Sequence, residues 1–161
     1  VGTFSLQKGA DTLVEACSQL DDVRLLHVGA VEDVAFPIHP RFEHHAPVDQ
    51  RALPDFFQRA HALALPSRQD GFGLVLSQAL AIGLPVVGTT ETGAPDLAEM
   101  LPGARHRVTV IPPEDVSALR DALAAAVVEG QTRHALTPDE SAALSWTGYA
   151  RRYERELQKL V

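Results

Sequence analysis

The chain has almost no cysteine, little positive charge and no long apolar run. Only one of its 161 residues is cysteine, Cys17, so no intrachain disulfide can form and a reducing, cytoplasmic setting is expected. Cys17 has apolar neighbours at helical spacing and reads as a buried thiol, not a reactive one. No uninterrupted apolar run approaches the ~20 residues of a membrane span. Positive charge is scarce too: 14 Lys and Arg against 21 Asp and Glu leave a formal charge of −7. That balance excludes a general nucleic-acid surface, which needs a basic field. Any phosphate ligand must be held by local donors. No Cys/His grouping has zinc spacing, and His44 and His45, adjacent in a strand, point to opposite faces and cannot jointly clasp an ion. Neither a metal nor a cofactor is expected. Ser67 and Ser77 lack the Gly-x-Ser-x-Gly elbow of a serine nucleophile. Gly71-Phe72-Gly73 lacks the third glycine of a dinucleotide fingerprint, which makes a dehydrogenase the weaker alternative. There is neither an initiating Met nor a signal peptide, and Val1-Gly2-Thr3-Phe4 already reads as a strand entering a turn. The expectation is a piece of a longer protein.

What is present alternates. Ala10, Leu13, Val14, Cys17 and Leu20 fall at helical spacing, and Val23 to Val28 is then an apolar strand ending at Gly29. A loop with Pro37 and Pro40 leads to a weaker strand around Phe42 to Ala46. Leu53, Phe56, Phe57 and Ala60 mark another helix, His61 to Leu65 another strand. A helix from about Phe72 to Ile82 stops at Gly83, and Pro85-Val86-Val87 opens the next strand. A short helix over Ala94 to Leu101 and a strand over Val108 to Ile111 follow. Asp115 can cap a helix carrying Val116, Leu119, Leu123 and Val127. The tail, 137–161, opens with a capping box, Thr137-Pro138-Asp139-Glu140, and sets Trp146, Tyr149, Tyr153, Leu157 and Leu160 along one stripe. Strands separated by helices imply an α/β domain: a Rossmann-like parallel sheet with helices on both faces. Ligands of such sheets bind beyond the carboxyl ends of the strands.

The segment Pro66 to Val87 is the most informative. A strand runs through a polar turn with Gly71 and Gly73 into a helix, which lets an anion approach backbone N–H groups at the positive end of the helix dipole. A diphosphate on the amides near Gly73, Leu74 and Val75 brings its ribose within reach of Gln78, which leans back over the first turn. A tight turn with no ligand is the alternative. Lys8, just past the first strand, shares this rim and offers a point charge for a phosphate. A solvated surface lysine fits the same residues.

Asp70-Gly71-Phe72-Gly73 followed by Gly83-Leu84-Pro85-Val86 resembles the donor-binding signature of retaining GT-B glycosyltransferases of the group 1, or family four, type. Gly2 with Lys8-Gly9 and a Leu-containing helix is similar to that family's opening motif. His27-Val28-Gly29, the loop Thr92-Gly93-Ala94-Pro95-Asp96, and Leu144-Ser145-Trp146 with Tyr149 and Tyr153 continue the likeness over nearly the whole chain. The resemblance implies residues 1–161 as a C-terminal nucleotide-sugar-binding domain, one half of a GT-B fold. The partner half, an N-terminal acceptor domain of the same protein, would provide any peripheral membrane contact.

The same resemblance assigns roles. Lys8 and the backbone of Gly71, Phe72, Gly73 and Leu74 hold the donor diphosphate; Asp70 contacts the sugar as the catalytic residue; Gln78 meets the ribose. Pro47 and Val48, after Ala46, wall the base. No metal and no protein nucleophile are implied, since the family's acceptor attacks on the leaving-group face. Three positions depart from the pattern: Thr3 where arginine is common, Asp70 where glutamate is usual, and Gln78 where a second acid is usual. Arg68, in the neighbouring loop, is a candidate substitute for that arginine, though a solvated Arg68 is the better expectation. Loss of all three family residues also fits a degenerate, non-catalytic sugar-nucleotide-binding domain.

Overall fold

The computed structural model describes residues 1–158, Glu156 by its backbone only. Among the described residues five short strands carry the fold: β1 (Leu25–Val28), β2 (Phe42–His45), β3 (Leu63–Leu65), β4 (Val86–Thr89) and β5 (Val108–Ile111). All their pairings are parallel. They form two ladders, β1–β2 and β3–β4–β5. Residues 1–4, expected as a first strand, lie alongside the end of β1 and form a single parallel bridge, Phe4 with Val31.

Helices cover both faces, as the alternation predicts. On one face α1 (Ala10–Ser18) packs with α5 (Val116–Glu129) through Ala16, Cys17, Leu119, Leu123 and Ala126. On the other, α2 (Leu53–Arg59), α3 (Leu74–Ala81) and α4 (Ala94–Met100) enclose Phe57, Leu76, Leu80 and Leu97. The pleat of β4 divides these cores: Val86 belongs to the second, Val87 to the first, and both are fully buried. A strand buried on both sides must be apolar throughout, which explains its unbroken Val-Val sequence.

The caps follow local chemistry. The Asp115 carboxylate accepts the Ala118 N–H at 2.9 Å and starts α5. Thr137 and Glu140 form the reciprocal box at the start of α6 (Pro138–Ala143). Helix α3 ends with Gly83 N–H on Leu80 O and Leu84 N–H on Ala79 O, both at 3.0 Å, the paired bonds of a Schellman stop. The tail helix α7 spans Trp146–Gln158 and leaves Trp146, Tyr149, Tyr153 and Leu157 exposed; Leu160 lies outside the described residues. Among the described residues no helix is long and apolar enough to cross a membrane.

Candidate functional site

The carboxyl ends of the strands open onto a cleft of about 270 Å³. Lys8, Asp70, Gly73, Leu74 and Gln78 all line it, so one site gathers residues from both glycine motifs of the sequence. Gly71, Phe72, Pro47 and Val48 are exposed and do not line this cleft. A Cβ at Gly71 would meet nothing within 4 Å, so no packing requirement holds glycine there.

Two glycines shape the cleft. Gly73 caps α3 in the left-handed region, φ 65°, and no side chain caps the helix. The first bond runs from Leu76 N–H to Gly73 O at 2.8 Å, leaving the Leu74 and Val75 amides ahead of it. The helix begins two residues later than the sequence suggests because Gly73, not Phe72, makes the turn. Gly9 caps α1 with φ 68°, and a Cβ there would come 2.1 Å from the Pro66 carbonyl oxygen. This close approach seats the Lys8 loop directly on the end of β3. Arg68 N–H to Gln7 O, 2.9 Å, ties the same two loops together.

Lys8 and Asp70 meet each other. The ammonium donates to Asp70 Oδ2 at 2.7 Å, with the side chains 31% and 16% exposed. Ser67, fully buried, sits 3.3 Å from the same oxygen through its hydroxyl. Lys8 is therefore held in a defined place at the cleft, rather than wandering in solvent. The loop after β4 supports the turn from beneath: Asp70 N–H bonds Glu91 O at 3.0 Å. A Cβ at Gly93 would come 2.1 Å from the Phe72 carbonyl oxygen. Thr89 Oγ1 donates to Ser67 O at 2.6 Å from within the core.

Arg68 corrects an expectation. It neither waits in solvent nor lines the cleft; its guanidinium grips both Asp11 oxygens, at 2.8 and 2.7 Å, and Glu114 at 2.8 Å. Its side-chain bonds to Asp11 and Glu114 raise its pKa, and the bond from Arg68 holds the Asp11 carboxyl below its usual range. A cation so engaged cannot replace the arginine missing at Thr3.

Sequence reasoning passed over His27 as a site residue. It lines the cleft, is buried, and its Nε2 lies 2.8 Å from Gly2 O. Its Nδ1 lies 2.9 Å from His44 Nδ1 across the β1–β2 pair. A carbonyl only accepts, so His27 Nε2 carries the proton, its Nδ1 accepts, and His44 Nδ1–H donates. Burial lowers the His27 pKa to about 4. The ring is a neutral brace for residues 1–4, and only the Phe4–His27–Phe36–His44 stack of the folded chain reveals it.

A parallel α/β domain with an uncapped helix end and a lysine at its strand ends has the chemistry to hold an anionic ligand. The model of the family described as "Glycosyl transferases group 1" matches residues 1–129, and the chain belongs to that family. It is 36% identical over 105 residues to D-inositol 3-phosphate glycosyltransferase of Xylanimonas cellulosilytica, which covers 57% of this chain and 25% of that protein. The namesake from Mycobacteroides abscessus is 33% identical over 108 residues, covering 59% and 24%. The chain thus spans about a quarter of the length of these relatives.

Solved structures share its fold. Sucrose-phosphate synthase from Thermosynechococcus elongatus superposes with a TM-score of 0.75 at 21% identity, over 99% of this chain and 45% of that one. The C-terminal domain of the glycosyl transferase group 1 family protein LpcC from Francisella tularensis gives 0.68 at 16%, over 92% and 83%. The fold is the Rossmann-like domain of GT-B glycosyltransferases, as the resemblance implied.

Proposed function

We propose that this chain is the donor-binding half of a retaining, nucleotide-sugar-dependent glycosyltransferase. The observation that carries the reading is the placement of the Lys8 ammonium and the bare Leu74 and Val75 amides on one cleft at the strand ends. Both are suited to the negative charge that grows on a diphosphate as the glycosyl bond breaks. An ammonium has three N–H donors, so Lys8 can keep Asp70 while it takes a phosphate oxygen. Asp70, held by Lys8 and beside Ser67, faces the donor sugar; Gln78 faces the ribose. The leaving group is met by the ammonium and amides, so the reaction needs no metal. Pro47 and Val48 lie beyond β2 and would border a base extending out of the cleft. An N-terminal domain of the full-length cytoplasmic protein brings the acceptor, which attacks from the face the diphosphate leaves.

The test is a calorimetric panel of UDP, GDP and ADP against the chain and its Lys8→Ala variant. Binding of one nucleoside diphosphate that the variant weakens supports the reading; no binding of any, or equal affinity for both proteins, sinks it.

The Lys8–Asp70 pair also suits a domain that binds sugar nucleotides without transferring them. A short carboxylate drawn to lysine is drawn away from the sugar. Combining Thr3→Arg, Asp70→Glu and Gln78→Glu in the full-length protein separates the two. A large gain of transfer from an inactive parent marks decay; an active parent marks an enzyme.

A further inference from the structure

The Asp70 carboxylate is loaded on one side only. The Lys8 ammonium at 2.7 Å and the Ser67 hydroxyl at 3.3 Å both donate to Oδ2. Among the described residues Oδ1 has no hydrogen-bond partner, and it is not a buried orphan, so it is the oxygen open to the cleft that Asp70 lines. The two donors differ in kind. Lys8 reaches Asp70 on a flexible four-carbon stem and is 31% exposed. Ser67 is fully buried on a one-carbon stem, and among the described residues its hydroxyl has no acceptor but Asp70.

Behind Ser67 stands a run of buried hydroxyls from the loop after β4. The β3–β4 register, Leu65 opposite Gly88, brings Thr89 alongside the end of β3. Thr89 is fully buried, donates to Ser67 O at 2.6 Å and accepts the Glu91 N–H at 3.3 Å. Thr92, also buried, donates to Thr89 O at 2.8 Å and accepts the Ala94 N–H at 3.2 Å. Asp70 N–H bonds Glu91 O in the same loop at 3.0 Å. Both ends of the Ser67–Asp70 turn are thus tied to one loop, which sets the span between hydroxyl and carboxylate. Buried hydroxyls are costly unless bonded, and Ala or Val would fill these places as well. Here every hydroxyl is used, and the run ends on the carboxylate.

We propose that Ser67, backed by Thr89, is a positioning residue: it pins Asp70 Oδ2 so that Oδ1 alone accepts a hydroxyl of the donor sugar. The ligand's identity rests on the donor reading; the anchoring does not. A diphosphate in the cleft takes a share of the Lys8 ammonium and loosens that tether. The Ser67 hydroxyl stays, because it is out of reach of the ligand and has nothing to exchange Asp70 for. A pinned carboxylate offers one acceptor in one direction, which orders the sugar before reaction. Without the hydroxyl, the carboxylate is free to turn towards Lys8 and present either oxygen, and the ordering has to be supplied at each binding event.

Ligand-free crystals of the parent, Ser67→Ala, Ser67→Thr and Thr89→Val read the anchoring directly. Asp70 is expected in one orientation in the parent and in Ser67→Thr, and turned or split in two in Ser67→Ala and Thr89→Val. An Asp70 unmoved in the latter two overturns the proposal. Calorimetry with UDP-glucose, GDP-mannose and ADP-glucose, each against its own nucleoside diphosphate, reads the consequence. Ser67→Ala should lower the ratio of sugar-nucleotide to diphosphate affinity about fivefold, Ser67→Thr should restore it, and in an Asp70→Ala background Ser67→Ala should leave it unchanged. A general lesion of the fold would weaken both ligands alike, and that outcome also overturns the proposal. Should the parent bind no diphosphate, the donor reading fails while the crystals still decide whether Ser67 anchors Asp70.

Discussion

In the free protein the Lys8 ammonium lies 2.7 Å from Asp70, so under the proposed reading a diphosphate would share that cation with a carboxylate of like charge. Two substitutions should consequently move affinity in opposite directions. Lys8→Ala removes a charge-assisted contact worth about 1.5–3 kcal/mol, so the nucleoside diphosphate that binds should weaken by one to two decades. Asp70→Asn releases the ammonium and removes a like charge, so the same ligand should tighten by about threefold. Calorimetry on both variants decides; a weaker Asp70→Asn complex would mean the carboxylate does not oppose the ligand. Gly9→Ala is expected to be severe, because its Cβ would lie 2.1 Å from the Pro66 carbonyl and φ is 68°. A loss of about 2–4 kcal/mol in urea unfolding follows from the clash and backbone strain together. The Lys-Gly pair was visible in the sequence, but the reason for its glycine was not. It is a contact between residues far apart in the chain.

At the scale of elements, the β1–β2 pair carries a pH response. His27 has its pKa lowered from 6.5 to about 4 because it is buried, so the unfolded chain binds a proton there that the folded chain refuses. Unfolded protein holds more protons between these values, and stability rises with pH across that window. Stability should fall as pH drops from about 6.5 towards 4. Urea midpoints for the parent and His27→Gln check this: the variant should be less stable at pH 7 and show a flatter slope in that window. Equal slopes would place the titration elsewhere. The helices and strands were legible because their apolar period and caps are local, as at Asp115, Thr137 and Gly83. Their ends were less so. Helix α3 starts at Leu74 because Gly73 adopts a left-handed cap, and β1 starts at Leu25 because its pairing with Phe42 begins there.

For the whole molecule, the proposed activity turns on a second domain that brings the acceptor. The chain spans about a quarter of the length of the relatives it matches, and the proposed reading assigns its cleft to the donor. Aligning two reactants supplies a large share of such barriers, so the isolated chain should bind a sugar nucleotide and transfer almost nothing. Incubation with UDP- and GDP-linked sugars and a panel of acceptor alcohols checks this, and clear product from the 161-residue chain would contradict it. The exposed stripe of Trp146, Tyr149, Tyr153 and Leu157 on α7 shows a second face that the described residues do not cover.

From sequence alone came the α/β class, the order of elements, the family, and the nomination of Lys8, Asp70, Gly73 and Gln78. Each rests on local period, turn chemistry or a short motif, which survive without knowledge of neighbours. Tertiary structure alone decided that Lys8 is paired with Asp70, that Arg68 is spent on Asp11 and Glu114, that His27 braces the first residues, and that the sheet is open between β1 and β3. The physical reason is common to all four: they depend on which distant backbones approach within hydrogen-bonding range, and side-chain chemistry along the chain leaves that choice to packing.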